Sequence, residues 1–171
     1  ELRMPHLGQL LLPATAALCS LLAYLLTMAP SAFPLDSSEM AAGAATLGIV
    51  HSPGYPVYLL LTHLFTHLPV GDLAYRANLA SAVFGSLSVG LLVVLVRDMT
   101  SRSLAALVAG LSFAYCFYVW SLSVVAEVYT LQGLFLVLLL LCIWRWRQSG
   151  KRVLLASIAF LMGLAATDRK S

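Results

Sequence analysis

The chain has 171 residues, of which 61% are hydrophobic and only 10% charged. Soluble domains carry about 25% charged residues, so a water-soluble fold of this size could not hide so much apolar surface and the surrounding solvent must be largely lipid. The net charge of +3 comes from a few loops, and the absence of a basic stripe with interleaved aromatics argues against a nucleic-acid partner.

In chain order, Leu7 to Met28 carries no charge and is long enough, at about 1.5 Å per residue, to cross a hydrocarbon core of about 30 Å. Pro13 should kink it. A cleaved signal peptide is the rival reading, disfavoured by the length of the run and by Ala29-Pro30 as a cleavage context. Residues 30–72 then form a loop between apolar runs. Within it, Ser37 to Leu47 reads as a short helix stopped by Gly48, and Ile49 to Pro56 as a Pro/Gly turn. Val57 to Leu68 reads as a helix lying in the membrane interface, with Tyr55 and Tyr58 near the headgroups.

Residues 77–96 make a second uncharged span, closed by Arg97 and Asp98. From Ser103 to Trp144 the only charge is Glu127. That length suits two spans, about 103–119 and 125–144, with a hairpin around Trp120-Ser121. Val153 to Thr167 is a short fifth span. The expected fold is therefore an all-α integral membrane bundle, a single domain over 1–171 with about five transmembrane helices and interfacial helices in its first loop. Arg3, Arg97, Arg102, Arg145, Arg147, Lys151 and Arg152 fall on one side and should face the cytoplasm. Arg76 is on the other, with Arg169 and Lys170 if the fifth span crosses. Asp36, Glu39, His51, Asp72 and Glu127 then share the extracytoplasmic or lumenal face. Glu1 in place of Met, and the polar tail directly after an apolar run, read as a piece of a longer protein.

Each polar candidate has a structural and a functional reading. Asp36 and Glu39 have capping-box spacing, and they equally suit a general base with a helper carboxylate. His51 is either a rigid-turn histidine or a donor toward a phosphate. His63 and His67 are one helical turn apart, but Leu64 stands where a zinc hydrolase carries Glu and no third ligand is evident, so no metal is expected. Glu127 is either a first-turn carboxylate of the fourth span, favoured by the helix dipole, or a functional ionisable group in an apolar block. Arg76 either snorkels to the interface or holds an anion. Cys19, Cys116 and Cys142 lie in apolar runs and read as packing residues. A transporter fragment or a non-catalytic scaffold are the other function classes; the lack of an internal repeat speaks against the former.

Four motifs stand in order: Asp36-Ser-Ser-Glu39, Leu47-Gly-Ile-Val-His51-Ser-Pro-Gly-Tyr-Pro56, Ala74-Tyr-Arg76-Ala-Asn78-Leu, and Val125-Ala-Glu127-Val-Tyr129. Together they resemble a family of polytopic membrane glycosyltransferases, similar to the GT-C class, that includes animal protein O-mannosyltransferases. Ser38 and Ser52 depart from that family's Gly and Pro. The Gly163-Leu stretch lacks the family's following Asn/His pair.

The resemblance implies a GT-C-like N-terminal helical bundle. It implies transfer of a sugar from a polyprenyl-phosphate donor to a protein or glycan acceptor hydroxyl, with membrane lipid as surroundings and no further cofactor. Asp36 matches the catalytic base position, with Glu39 beside it. His51, Arg76, Asn78, Glu127 and Tyr129 match motif positions and are expected to bind substrate. The membrane would be a bacterial inner membrane or the endoplasmic reticulum. A chain lacking the family's later spans would be inactive alone.

Overall fold

A computed structural model describes residues 7–34 and 36–168; Glu1, Arg3, Arg169 and Lys170 of the sequence reading lie outside them. The described residues form eight α-helices: α1 (Leu7–Thr27), α2 (Asp36–Thr46), α3 (Pro56–Thr66), α4 (Leu73–Thr100), α5 (Ser103–Ala114), α6 (Phe117–Ser123), α7 (Tyr129–Ser149) and α8 (Arg152–Thr167). The protein is all-α, as its composition requires.

The helix α4 is the axis of the bundle, with α1, α5 and α7 along its length and α2 and α3 at its N-terminal end. Its packing face is built from small residues: Ala77, Ala80, Ser81, Ala82, Gly85, Ser88 and Gly90 are among its buried positions. In lipid, helices gain no hydrophobic drive from touching one another, and small residues let dispersion and close backbone contact take its place. A Cβ at Gly90 would sit 3.1 Å from the Pro13 carbonyl oxygen and 3.1 Å from Ala17 Cβ of α1. The expected span at residues 77–96 is longer at both ends. Asp72 caps α4, accepting from the Tyr75 amide at 2.7 Å, and Arg97 and Asp98 continue the helix rather than ending it; Ser101, in the left-handed region at φ 56°, closes it.

Three helices, α1, α4 and α7, are long and apolar enough to cross a membrane, and α5 with α6 adds a fourth if that pair, bent by 62°, counts as one span. Trp120-Ser121, where a hairpin was expected, lies instead inside α6; the helical run bends at Tyr115-Cys116 and is interrupted again at residues 124–128, before α7. Apolarity alone does not locate such a break. Partners from other helices stabilise it: the Tyr24 hydroxyl donates to the Ala114 carbonyl at 2.9 Å, and the Trp120 indole donates to Thr27 Oγ1 at 2.9 Å. The helix α8, 16 residues long, spans about 24 Å at 1.5 Å per residue, short of a hydrocarbon core of about 30 Å.

Two further expectations change. Tyr55 and Tyr58 do not sit among headgroups; they are 1% and 0% exposed and form part of the core between α3, α2 and α4. The lipid-ready side of α3 is carried by Leu60 and Leu64. Glu127 is not in the first turn of α7 but in the linker before it. There the Ser37 hydroxyl receives the Ala126 amide at 3.2 Å and the Ser81 hydroxyl receives the Glu127 amide at 3.0 Å. Those hydroxyls satisfy amides that a helix would otherwise claim, and the linker between α6 and α7 stays non-helical.

Candidate active site

The helix α2 opens on Asp36 and carries Glu39 one turn later, so both carboxylates lie in its first turn. It ends with Leu47 in the left-handed region at φ 49° and the Gly48 amide donating to the Gly43 carbonyl at 3.1 Å. This Schellman closure reverses the chain and returns residues 49–51 along α2. Gly43 permits the close return: a Cβ there would lie 2.4 Å from Val50 Cγ1. The next residue, His51, thereby arrives beside the start of α2.

Glu39 grips His51 twice. One carboxylate oxygen accepts from the His51 amide at 2.7 Å, and the other lies 2.7 Å from Nδ1 of the ring. Glu39 thus tethers a returning loop, where capping-box spacing had suggested a reciprocal cap. A carboxylate can only accept when ionised, so Nδ1 carries a proton. These bonds, the ring N–H first and the backbone N–H second, hold the Glu39 carboxyl below the usual carboxylate range. The opposite ring nitrogen, Nε2, stands 3.7 Å from Asp36 Oδ2 and 3.4 Å from the Tyr55 hydroxyl. The Tyr55 ring meets the imidazole edge-on at 5.3 Å between centroids. The result is a compact cluster of two carboxylates around one imidazole, with the Asp36 side chain 47% exposed.

The donor atoms of Asp36, Glu39 and His51 lie within 4.8 Å of one another, near enough to share one cation. Two oxygens and one imidazole nitrogen suit a divalent ion of hard or borderline character. The arrangement also suits proton transfer: a carboxylate with open access, beside an imidazole whose tautomer and orientation are fixed by the other carboxylate.

The other expected site residues make different contacts. The Arg76 guanidinium donates to the carbonyls of Thr66, Val70 and Gly71 at 2.7, 2.8 and 3.1 Å, closing the turn between α3 and α4. Asn78 is buried and its amide donates to Ala29 and Ser31 carbonyls, fixing the chain that leaves α1. Tyr129 lines an apolar cavity of about 160 Å³ with Gly85, Phe113, Ser123 and Gly133. The Glu127 backbone is bound to Ser81, on the same linker whose Ala126 bonds Ser37, the residue after Asp36. The His63 ring donates from Nδ1 to the Ala44 carbonyl at 2.7 Å, and its Nε2 is 3.2 Å from Nε2 of His67.

Sequence reasoning passed over four contributors. Tyr55 was placed in the headgroups, whereas it braces His51. Ser37 and Ser81 were silent hydroxyls in apolar surroundings. Asp168, at the end of α8, is fully buried and accepts from the Val57 and Tyr58 amides; an acidic residue closing an apolar run was the available signal.

Mouse protein O-mannosyl-transferase TMEM260 is 34% identical over 139 residues, which is 78% of this chain and 20% of that protein. The protein O-mannosyl-transferase tmem260 of Dictyostelium discoideum is 26% identical over 128 residues, 72% of this chain and 16% of that protein. The chain thus spans a fifth or less of the length of these relatives. No solved structure matches. The family model described as the protein O-mannosyl-transferase TMEM260 N-terminal domain matches residues 36–170, from the first carboxylate of the cluster to past the end of α8, and the chain belongs to that family.

Proposed function

We propose that this chain is an N-terminal membrane portion of a protein O-mannosyltransferase that carries its acid–base centre, with Asp36 as the general base. The observation that carries the reading is the Asp36–His51–Glu39 cluster at the head of α2. The names of the relatives supply the reaction class, and the family's first-loop carboxylate position falls on Asp36.

In the proposed reaction, Asp36 takes the proton of an acceptor hydroxyl as its oxygen attacks the anomeric carbon of the sugar. The bond from that carbon to the phosphate oxygen breaks, and polyprenyl phosphate leaves with the electron pair. Attack opposite the leaving group inverts the anomeric centre. His51, held by Glu39, faces Asp36 and orients it; in its imidazolium form it also offers positive charge to the departing phosphate. Arg76, expected to share that task, spends its N–H groups on backbone carbonyls, which favours His51 for it. The basic residues Arg97, Arg102, Arg145, Arg147, Lys151 and Arg152 gather at the opposite end of the bundle. The positive-inside rule therefore supports an extracytoplasmic or lumenal face for the cluster.

The test is a transfer assay in the longest natural form of the protein, embedded in vesicles containing a polyprenyl-phosphate mannose donor and supplied with a hydroxyl-bearing acceptor peptide. Asp36→Asn should lower transfer by about 10²- to 10⁴-fold, the range of a general base, while the protein still inserts. Full activity in that variant would refute the assignment.

A further inference from the structure

We infer that Asp168 is a positioning residue for His51, acting through the N-terminus of α3; its functional meaning rests on the transfer reading above.

The first turn of α3 lacks a local cap. Its N-cap residue, Tyr55, is in the left-handed region at φ 43° and makes no side-chain capping bond, and Pro56, next in line, has no N–H. The first amides with no partner inside the helix are those of Val57 and Tyr58. Both donate to the Asp168 carboxylate, at 3.1 and 2.8 Å. The bonding pattern is that of an N-cap, supplied from over a hundred residues away. A negative charge at this end of a helix is also favoured by the helix dipole.

The rest of α8 underlines the point. None of its residues from Arg152 to Thr167 is buried, whereas Asp168 is fully so. The side chain of Gln132 on α7 donates to the Asp168 carbonyl, so the anchor is fixed from α7 as well. What Asp168 holds is the base of the loop that presents His51. The Tyr55 backbone begins α3, with the Leu59 amide donating to its carbonyl at 3.0 Å. The Tyr55 ring and hydroxyl meet His51 on the side away from Glu39. Glu39 therefore fixes the imidazole from α2, and Asp168 fixes its other support from α8.

Asp168→Asn is a clean probe, because it keeps the shape and removes one of the two acceptors. Burial already raises the Asp168 carboxyl above its usual range, so a neutral side chain loses little in desolvation. The experiment uses the longest natural form of the protein with isotope-labelled histidine, reconstituted in nanodiscs. In Asp168→Asn the His51 ring resonances should move while those of His63 and His67 stay. The transfer kcat should fall about tenfold with both KM values within about twofold, the pattern of a displaced catalytic group. Gln132→Ala, which frees only the Asp168 carbonyl, should move His51 in the same direction by less, and it carries the test if the first variant does not fold. Unmoved His51 resonances in folded protein would overturn the proposal. So would equal disturbance of His63 and His67 with a lowered Tm, since that marks a general loss of α8 docking. A shift confined to His51 in protein that transfers no sugar would support the positioning role and refute the transfer reading.

Discussion

At one end of the bundle Arg145 meets Asp98, with Nε and Nη2 at 3.1 and 3.0 Å from a single carboxylate oxygen. At the other end Glu39 meets His51 at 2.7 Å. Both are contacts between a carboxylate and a nitrogen base at a membrane face. The first is complete in itself: it joins the ends of α4 and α7, and a strong permanent cation faces a single anion. The second is part of a cluster of three groups. The imidazole that Glu39 holds turns its other nitrogen to Asp36, and the backbone grip on His51 comes from the same carboxylate as the ring grip. A helix-to-helix ion pair needs only two side chains of the right reach. The cluster needs a Schellman reversal, a glycine at the crossing and a helix start capped from α8. That expenditure of local geometry on one imidazole is what separates a built site from a surface salt bridge.

Substitutions can break or sharpen this contrast. Asp36→Asn, described above, should have the largest effect. Next, Glu39→Gln should reduce transfer by about ten- to hundredfold, because the imidazole loses its fixed orientation. It should also remove a pH dependence. The Glu39 carboxyl is depressed in the folded protein, so its tether contributes at pH values above the ordinary carboxylate range and is lost as pH falls through the depressed folded value. Thermal-unfolding scans across acidic pH should therefore show the wild type and Glu39→Gln converging at the lowest pH; parallel curves would contradict the tether.

Gly43→Val should come third. Its Cβ would sit 2.4 Å from Val50 Cγ1 and 3.3 Å from Leu59 Cδ2, an overpacking cost of about 1–3 kcal/mol. Since Val50 adjoins His51, transfer should drop along with stability, as measured by denaturation in detergent and by the same assay. Arg145→Ala should do least. The pair is partly exposed, and such pairs contribute about 0–1 kcal/mol, so Tm should move by no more than a few degrees and transfer hardly at all.

Much of the fold could be read from apolar run length alone, because lipid leaves few alternatives to a helix. The runs around α1 and α4 are bounded by charges or prolines, and each contains one long helix, although α4 extends past its expected ends. Residues 103–144 gave no such punctuation except Glu127. The bend at Tyr115-Cys116 depends on Tyr24 and Trp120 reaching across from other elements, which no local pattern encodes. The residues of the Asp36–Glu39–His51 cluster stood out in the sequence, but their contacts did not. Asp36, Glu39 and His51 stood out because charge is rare here, and their spacing suggested a cap. The tether appeared only when Leu47 took a left-handed turn that a glycine was expected to take. Arg76 and Asn78, polar at a membrane edge, proved to be occupied by backbone carbonyls, a demand invisible until the turns they close are folded. Asp168 was hidden for the opposite reason: its partners are bare amides whose need for an acceptor arises from Tyr55 and Pro56, far away in sequence.

The central claim is that the two polar ends differ in kind, one chemical and one structural. The most direct measurement is release of polyprenyl phosphate from the mannose donor by Asp36→Asn and Arg145→Ala, assayed side by side in the longest natural form of the protein. The account predicts release lost in the first and kept near the wild-type rate in the second. Release retained in Asp36→Asn, or lost equally in both, would contradict it.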